Sequence, residues 1–168
     1  MTDKTAVDFS TMSDLELARF IAERLGYKVV PGSDPEVAAI MQPLFGDWHP
    51  FAQWYVISPD GDEANPIQDV FLATTSEEAA WATAFVPDPT DVQEIPFWPQ
   101  NLGAAWNLVA ELDKCLHIDI GYGMGNYTVS LRKKVAVLSI ARAKGSDQCN
   151  IARAICDAVV VWMMGKEV

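Results

Sequence analysis

The sequence has few of the features that identify secreted, membrane-bound or nucleic-acid-binding proteins. No run approaches the roughly 18 apolar residues of a membrane span, and the first residues have no apolar stretch of the kind that a signal peptide needs. Basic residues are scarce, since 12 Lys and Arg stand against 23 Asp and Glu, for a net charge of −11. Because this charge repels phosphate backbones and anionic lipids, we predict a cytoplasmic protein that binds neither nucleic acid nor membranes directly.

Cysteine and histidine are also scarce, which limits the chemistry that can be predicted. The three cysteines are Cys115, Cys149 and Cys156. They show no CxxC spacing, so neither a disulfide framework nor a zinc site is predicted, and a reducing compartment fits. Of the two histidines, His49 and His117, the second shares a predicted strand face with Asp119, but two side chains are too few for a metal. We predict no metal, no cofactor and no catalytic residue.

The chain is nevertheless rich in material for a core, because half of its 168 residues are apolar. Its charge is unevenly distributed. Residues 1–114 carry 19 acidic and 5 basic side chains, net −14, whereas residues 115–168 carry 4 acidic and 7 basic, net +3. The last third is therefore locally basic on an acidic protein.

Helix caps and turn residues organise the first half of the chain. Ser13 and Glu16 form a capping box that begins a helix, which Gly26 ends. Residues 27–52 hold too many Pro and Gly for a long element, so we predict an ordered excursion with a short helix over 36–44. A hairpin follows, with strands over 53–57 and 67–72 around a Ser-Pro-Asp-Gly turn.

Beyond the hairpin, a second excursion is placed at about 64–94. Within it Thr75 or Ser76 caps a helix over 77–85. The stretch 87–99 contains four prolines and predicts a surface loop.

Apolar periodicity is clearest in the second half. A helix over 101–114 carries Trp106 on its apolar stripe. Strands follow over 116–122, 127–132 and 135–141, and the last is apolar at nearly every position, which predicts an inner strand covered on both faces. Ser146 or Asp147 caps a final helix with Trp162 on its buried stripe. These elements predict one α+β domain over residues 1–168, an antiparallel sheet with a C-terminal three-strand meander covered by helices, like an α/β/α sandwich.

Four segments carry a family resemblance. They are the Trp-bearing strand and Pro-Asp-Gly turn at 54–61, Pro-Phe-Trp at 96–98, the Ala-Ala-Trp helix at 102–112, and residues 152–158. Together they resemble the phage ABA-sandwich (α/β/α) domain family of small phage and prophage proteins. The resemblance implies no established reaction and a phage accessory protein inside an infected bacterium. The two excursions are then the segments in which a private function would lie.

Aromatic and basic side chains are the candidates for ligand binding. Of six tryptophans, four lie in or beside irregular segments, where burial under loops and a role as binding anchors both remain open. Two clusters of basic residues lie at strand ends, and antiparallel pairing places them at opposite ends of the sheet. Solvated, edge-protecting and anion-binding roles remain open for them. The candidate residues are Trp48, Trp54, Trp98, Arg132, Lys134 and Arg142.

Three classes of function follow. The first is a non-enzymatic counter-defence protein that sequesters a nucleotide-like signalling molecule, since loop tryptophans can stack on bases. The alternative is an acidic inhibitor that binds a host protein and imitates nucleic acid. An enzyme comes third, because no nucleophile, base and orienting group are recognisable together. A homodimer through a strand edge or the last helix stays open.

Overall fold

The computed structural model describes residues 11–35, 37–39, 43, 54–57, 59, 70–72, 76–87, 95–123, 126–133, 136–144 and 148–165. Of residues 70–72, 136–144 and 148–150 it describes the backbone. Backbone contacts divide the chain into two compact units, Met1–Phe20 with Trp98–Val168 and Ile21–Phe97. The division falls within the first helix.

Helices and small, mainly antiparallel sheets make up the described residues, and this confirms the predicted α+β class. The helices are α1 (Asp14–Leu25), α2 (Glu77–Ala84), α3 (Leu102–Leu112) and α4 (Gln148–Gly165), with a 3-10 turn at Trp98–Gln100. The strands are β1 (Lys28–Pro31), β2 (Trp54–Ile57), β3 (Val70–Leu72), β4 (Phe85–Val86), β5 (Ile95–Pro96), β6 (Leu116–Gly123), β7 (Asn126–Lys133) and β8 (Ala136–Lys144).

The predicted C-terminal meander is confirmed in the first unit. Its strands are antiparallel in the order β6-β7-β8, with one register shift between Leu131 and Arg132. Helix α3 packs against β6, and α4 packs against β7 and β8. Val129 and Leu131 of β7 are fully buried, as is Ile155 of α4, so the core of this unit lies between α4 and the sheet.

The strand predicted over 135–141 exists, but the prediction that it lies in the interior of the sheet is wrong. Within the described residues β7 is the central strand, and β8 pairs with β7 alone. An apolar run reports how well a strand is covered by neighbouring layers, not how many strands it pairs with. The length and composition of this strand therefore could not show whether it lies at the edge or at the centre of the sheet.

The start of α1 belongs to the same unit and confirms the predicted capping box. The Ser13 backbone N–H donates to Glu16 Oε2 at 2.7 Å, and the Glu16 backbone N–H donates to Ser13 Oγ at 3.2 Å. These reciprocal bonds satisfy donors that the first turn of a helix leaves unpaired. The start of this helix could therefore be predicted from hydrogen bonds between residues three positions apart.

In the second unit, β1, β2 and β3 form an antiparallel sheet in that order. The pairing of β2 with β3 confirms the predicted hairpin strands, whereas residues 58 and 60–69 lie outside the described residues. The excursion predicted over 27–52 contains β1, which the sequence reading missed because four residues are too few to show a period. Residues 35, 37–39 and 43 are helical, in agreement with the short helix predicted over 36–44.

An aromatic stack forms a second core in this unit. The rings of Trp81 and Phe85 stack with centroids 5.6 Å apart, and Phe85 stacks on Phe97 at 6.0 Å. Trp81 lies on α2, which Ser76 caps through its side chain as predicted. The surface loop predicted over 87–99 is wrong at its end, because Ile95 is 1% exposed in β5, which pairs in parallel with β4. Prolines exclude a long regular element, but they do not exclude burial.

Candidate binding site

The candidate tryptophans do not gather on one exposed surface. Trp48 lies outside the described residues, and Trp54 is half-buried in β2 of the second unit. Trp98 belongs to the first unit, where its 3-10 turn packs against α4 and leaves the residue 4% exposed. The ring of Trp98 is therefore part of the core, and is not available for stacking on a ligand.

The basic candidates are also dispersed. Arg132 Nε of β7 lies 2.5 Å from Asp119 Oδ2 of β6, in an ion pair whose side chains are exposed. The Arg142 backbone pairs with Thr128, four residues along β7 from Arg132, which corresponds to about 13 Å of strand. Lys134 lies outside the described residues. The register therefore separates the backbones of Arg132 and Arg142 along the sheet.

Exposed aromatic side chains of the first unit lie elsewhere, on β6 at Tyr122 (66%) and on α3 at Trp106 (47%). The sequence reading placed Trp106 on the buried stripe, and that placement is wrong. Helix α3 buries Ala105, Leu108 and Val109, whose spacing already completes a helical stripe. Trp106 lies beside this stripe. Its hydrophobicity led to the prediction that it is buried, although its position on the helix is outside the stripe.

A groove of about 170 Å³ runs beside Trp106. Its lining comes from α3 and from the first residues of β6. The lining residues are Trp106, Val109, Ala110, Leu116, His117 and Ile118. Helix α3 thus forms one wall of the groove, and strand β6 forms the other.

The apolar lining continues along β6 beyond the end of the groove. Ile120 and Tyr122 lie on the same face of β6 as Ile118, because they follow it at intervals of two residues. They are 39% and 66% exposed, respectively. Tyr127 lies opposite Tyr122 on β7, with ring centroids 4.9 Å apart. We call these residues the aromatic surface: Trp106, Ile118, Ile120, Tyr122 and Tyr127. Within it, Tyr122 contacts Tyr127, and Trp106 and Ile118 line the same groove. Exposed large apolar side chains are typical of binding sites.

Paired charges lie near the same part of the sheet. Lys133 Nζ donates to Asp113 Oδ2 at 2.8 Å, and this hydrogen bond raises the pKa of Lys133. Lys133 lies opposite Leu116 in the register, and Arg132, which pairs with Asp119, lies opposite His117. These charges are therefore compensated within the chain, as is common in the polar rim of an apolar interface.

Reactive side chains of the first unit include His117, which lines the groove, and two described cysteines, the exposed Cys115 and the buried Cys156. Cys156 is fully buried in α4, and burial raises the pKa of its thiol well above the usual value, which makes it a poor nucleophile. Among the described residues no three His, Cys, Asp or Glu side chains lie close enough to hold a metal ion.

Comparison with known proteins gives no relative, since no family model, no curated protein and no solved structure matches the chain. The resemblance to the phage ABA-sandwich family stays a prediction. None of the helices in the described part of the chain is long and apolar enough to span a membrane.

Proposed function

We propose that this protein is a non-enzymatic binding protein that captures a partner protein on the aromatic surface. The observation that carries the proposal is the 47% exposure of Trp106 at the rim of the groove. An indole left in water forgoes the hydrophobic free energy that a partner would supply on contact. Tryptophan and tyrosine are also the residue types that dominate the energetics of protein interfaces.

The charge of the chain indicates what kind of partner is favoured. The acidic excess lies in residues 1–114, at net −14, whereas residues 115–168, which include β6 and β7, are net +3. The acidic part of the chain attracts cationic partners over distances longer than any contact. Such steering raises association rates and declines as salt screens it. This supports the hypothesis of an acidic protein that inhibits a host protein.

A nucleotide-like ligand is the second candidate, favoured by the half-exposed indole beside a groove of about 170 Å³. One planar base fits such a site by stacking. Two of the residues that the sequence predicts for this role support it less, because Trp98 is buried and Arg132 is already paired with Asp119. We therefore rank capture of a protein above sequestration of a nucleotide.

The setting that we propose is the cytoplasm of a phage-infected bacterium, where capture of a host protein would blunt a defence or redirect metabolism. This part of the proposal rests on the resemblance carried by residues 54–61, 96–98, 102–112 and 152–158. The odd number of cysteines, without CxxC spacing, supports a reducing compartment.

Three baits test the proposal: the wild-type chain, Trp106→Ala, and the matched control Val161→Ala, which alters an exposed apolar residue (42%) on α4. Each is immobilised and exposed to bacterial lysate at low and high salt, and the retained proteins are quantified by mass spectrometry. We expect one set of proteins on the wild-type and Val161→Ala baits that is lost from Trp106→Ala and reduced at high salt. Identical sets on all three baits would contradict the proposal.

The second candidate is tested on the same variants by thermal shift with a panel of cyclic and ADP-ribose-type nucleotides. A nucleotide that stabilises the wild-type chain and Val161→Ala, but not Trp106→Ala, would favour sequestration over protein capture. No shift across the panel would remove the second candidate.

A further inference from the structure

We draw no further inference here: the strongest candidate, the apolar groove between α3 and the outer strand β6, carries nothing beyond the proposed function, because nothing in the described part of the chain shows what covers it.

Discussion

Arg153 of α4 hydrogen-bonds Asp14 at the start of α1, with 2.7 Å between Nη1 and Oδ1, across 139 positions of sequence. The same guanidinium donates to the backbone carbonyl of Met12 at 2.8 Å and to Asp157 Oδ1 at 3.2 Å. One cation thus compensates two carboxylates and ties the first turn of α1 to α4. Arg uses its planar array of donors here in a way that Lys could not reproduce.

Removing this cation should destabilise the fold more than removing an exposed one. In Arg153→Leu the half-buried Asp157 loses its compensating charge, and we expect the free energy of unfolding to fall by about 2–3 kcal/mol. Arg132→Leu is the control, because its pair with Asp119 is solvent-exposed and is worth less than about 1 kcal/mol. Urea denaturation of both variants checks the difference. Equal losses would show that the Arg153 network contributes no more than a surface ion pair.

The same network predicts a pH dependence. Burial raises the pKa of Asp157 above its usual 3.8, despite the opposing effect of Arg153. Between 3.8 and the raised pKa, the folded chain retains a proton that the unfolded chain has released, so the contribution of Asp157 to stability decreases as pH rises through this window. Asp157→Asn should remove that decrease when the free energy of unfolding is measured between pH 3 and 7.

Glu16 should change stability with pH in the opposite direction to Asp157. Hydrogen bonds from the Ser13 backbone and hydroxyl lower the pKa of Glu16 below 4.5. Its stabilisation is therefore present above pH 4.5 and is lost as pH falls through the lowered pKa. Glu16→Gln should remove only this acid-side loss. An unchanged pH profile in Asp157→Asn would mean that burial does not perturb Asp157.

The described cysteines should differ sharply in reactivity. Cys115 is exposed after α3, whereas Cys156 is fully buried with a strongly raised pKa. Since the thiolate is the reactive species, we expect iodoacetamide at pH 8 to alkylate Cys115 at least roughly 100-fold faster than Cys156 in the folded protein. Peptide mapping by mass spectrometry measures both rates in one sample. Comparable rates in the native state, and not only in denaturant, would contradict the burial of Cys156.

Truncation of two tryptophans on different helices should change the stability of the protein by very different amounts. Trp81 is 1% exposed and stacks on Phe85, so Trp81→Ala should cost about 3–5 kcal/mol of stability. Trp106 is 47% exposed, so Trp106→Ala should change the free energy of unfolding by less than about 1 kcal/mol. Denaturant titrations followed by circular dichroism check both values. A large loss in Trp106→Ala would show that the indole is a structural residue and would weaken its use as a binding probe.

Elements defined by local chemistry could be predicted from the sequence. The capping box of Ser13 and Glu16, the cap at Ser76 and the alternating strands of the meander all depend on neighbours within a few residues. The α+β class follows from the order of such elements. Their boundaries differ from the predicted ones by only a few residues.

Features that depend on distant partners could not be predicted in the same way. Strand β1 is defined by its pairing with β2, more than twenty residues later in the chain. Trp98 and Trp106 are equally apolar, and only packing decides that Trp98 is buried and Trp106 exposed. The outer position of β6 among the described strands likewise depends on strand order, which periodicity does not encode. The single-domain assignment stays a prediction.

Alanine substitutions at two glycines should change stability in opposite directions. Gly26, predicted to end α1, has φ +100°, and a Cβ there would lie 2.9 Å from Pro59 Cβ. Gly26→Ala should therefore lose about 1–2 kcal/mol from backbone strain and more from the collision. Gly121 lies inside β6 with nothing within 4 Å of an added Cβ, so Gly121→Ala should gain up to about 0.5 kcal/mol. Urea denaturation checks both signs, and a stabilising Gly26→Ala would contradict the left-handed turn that ends the helix.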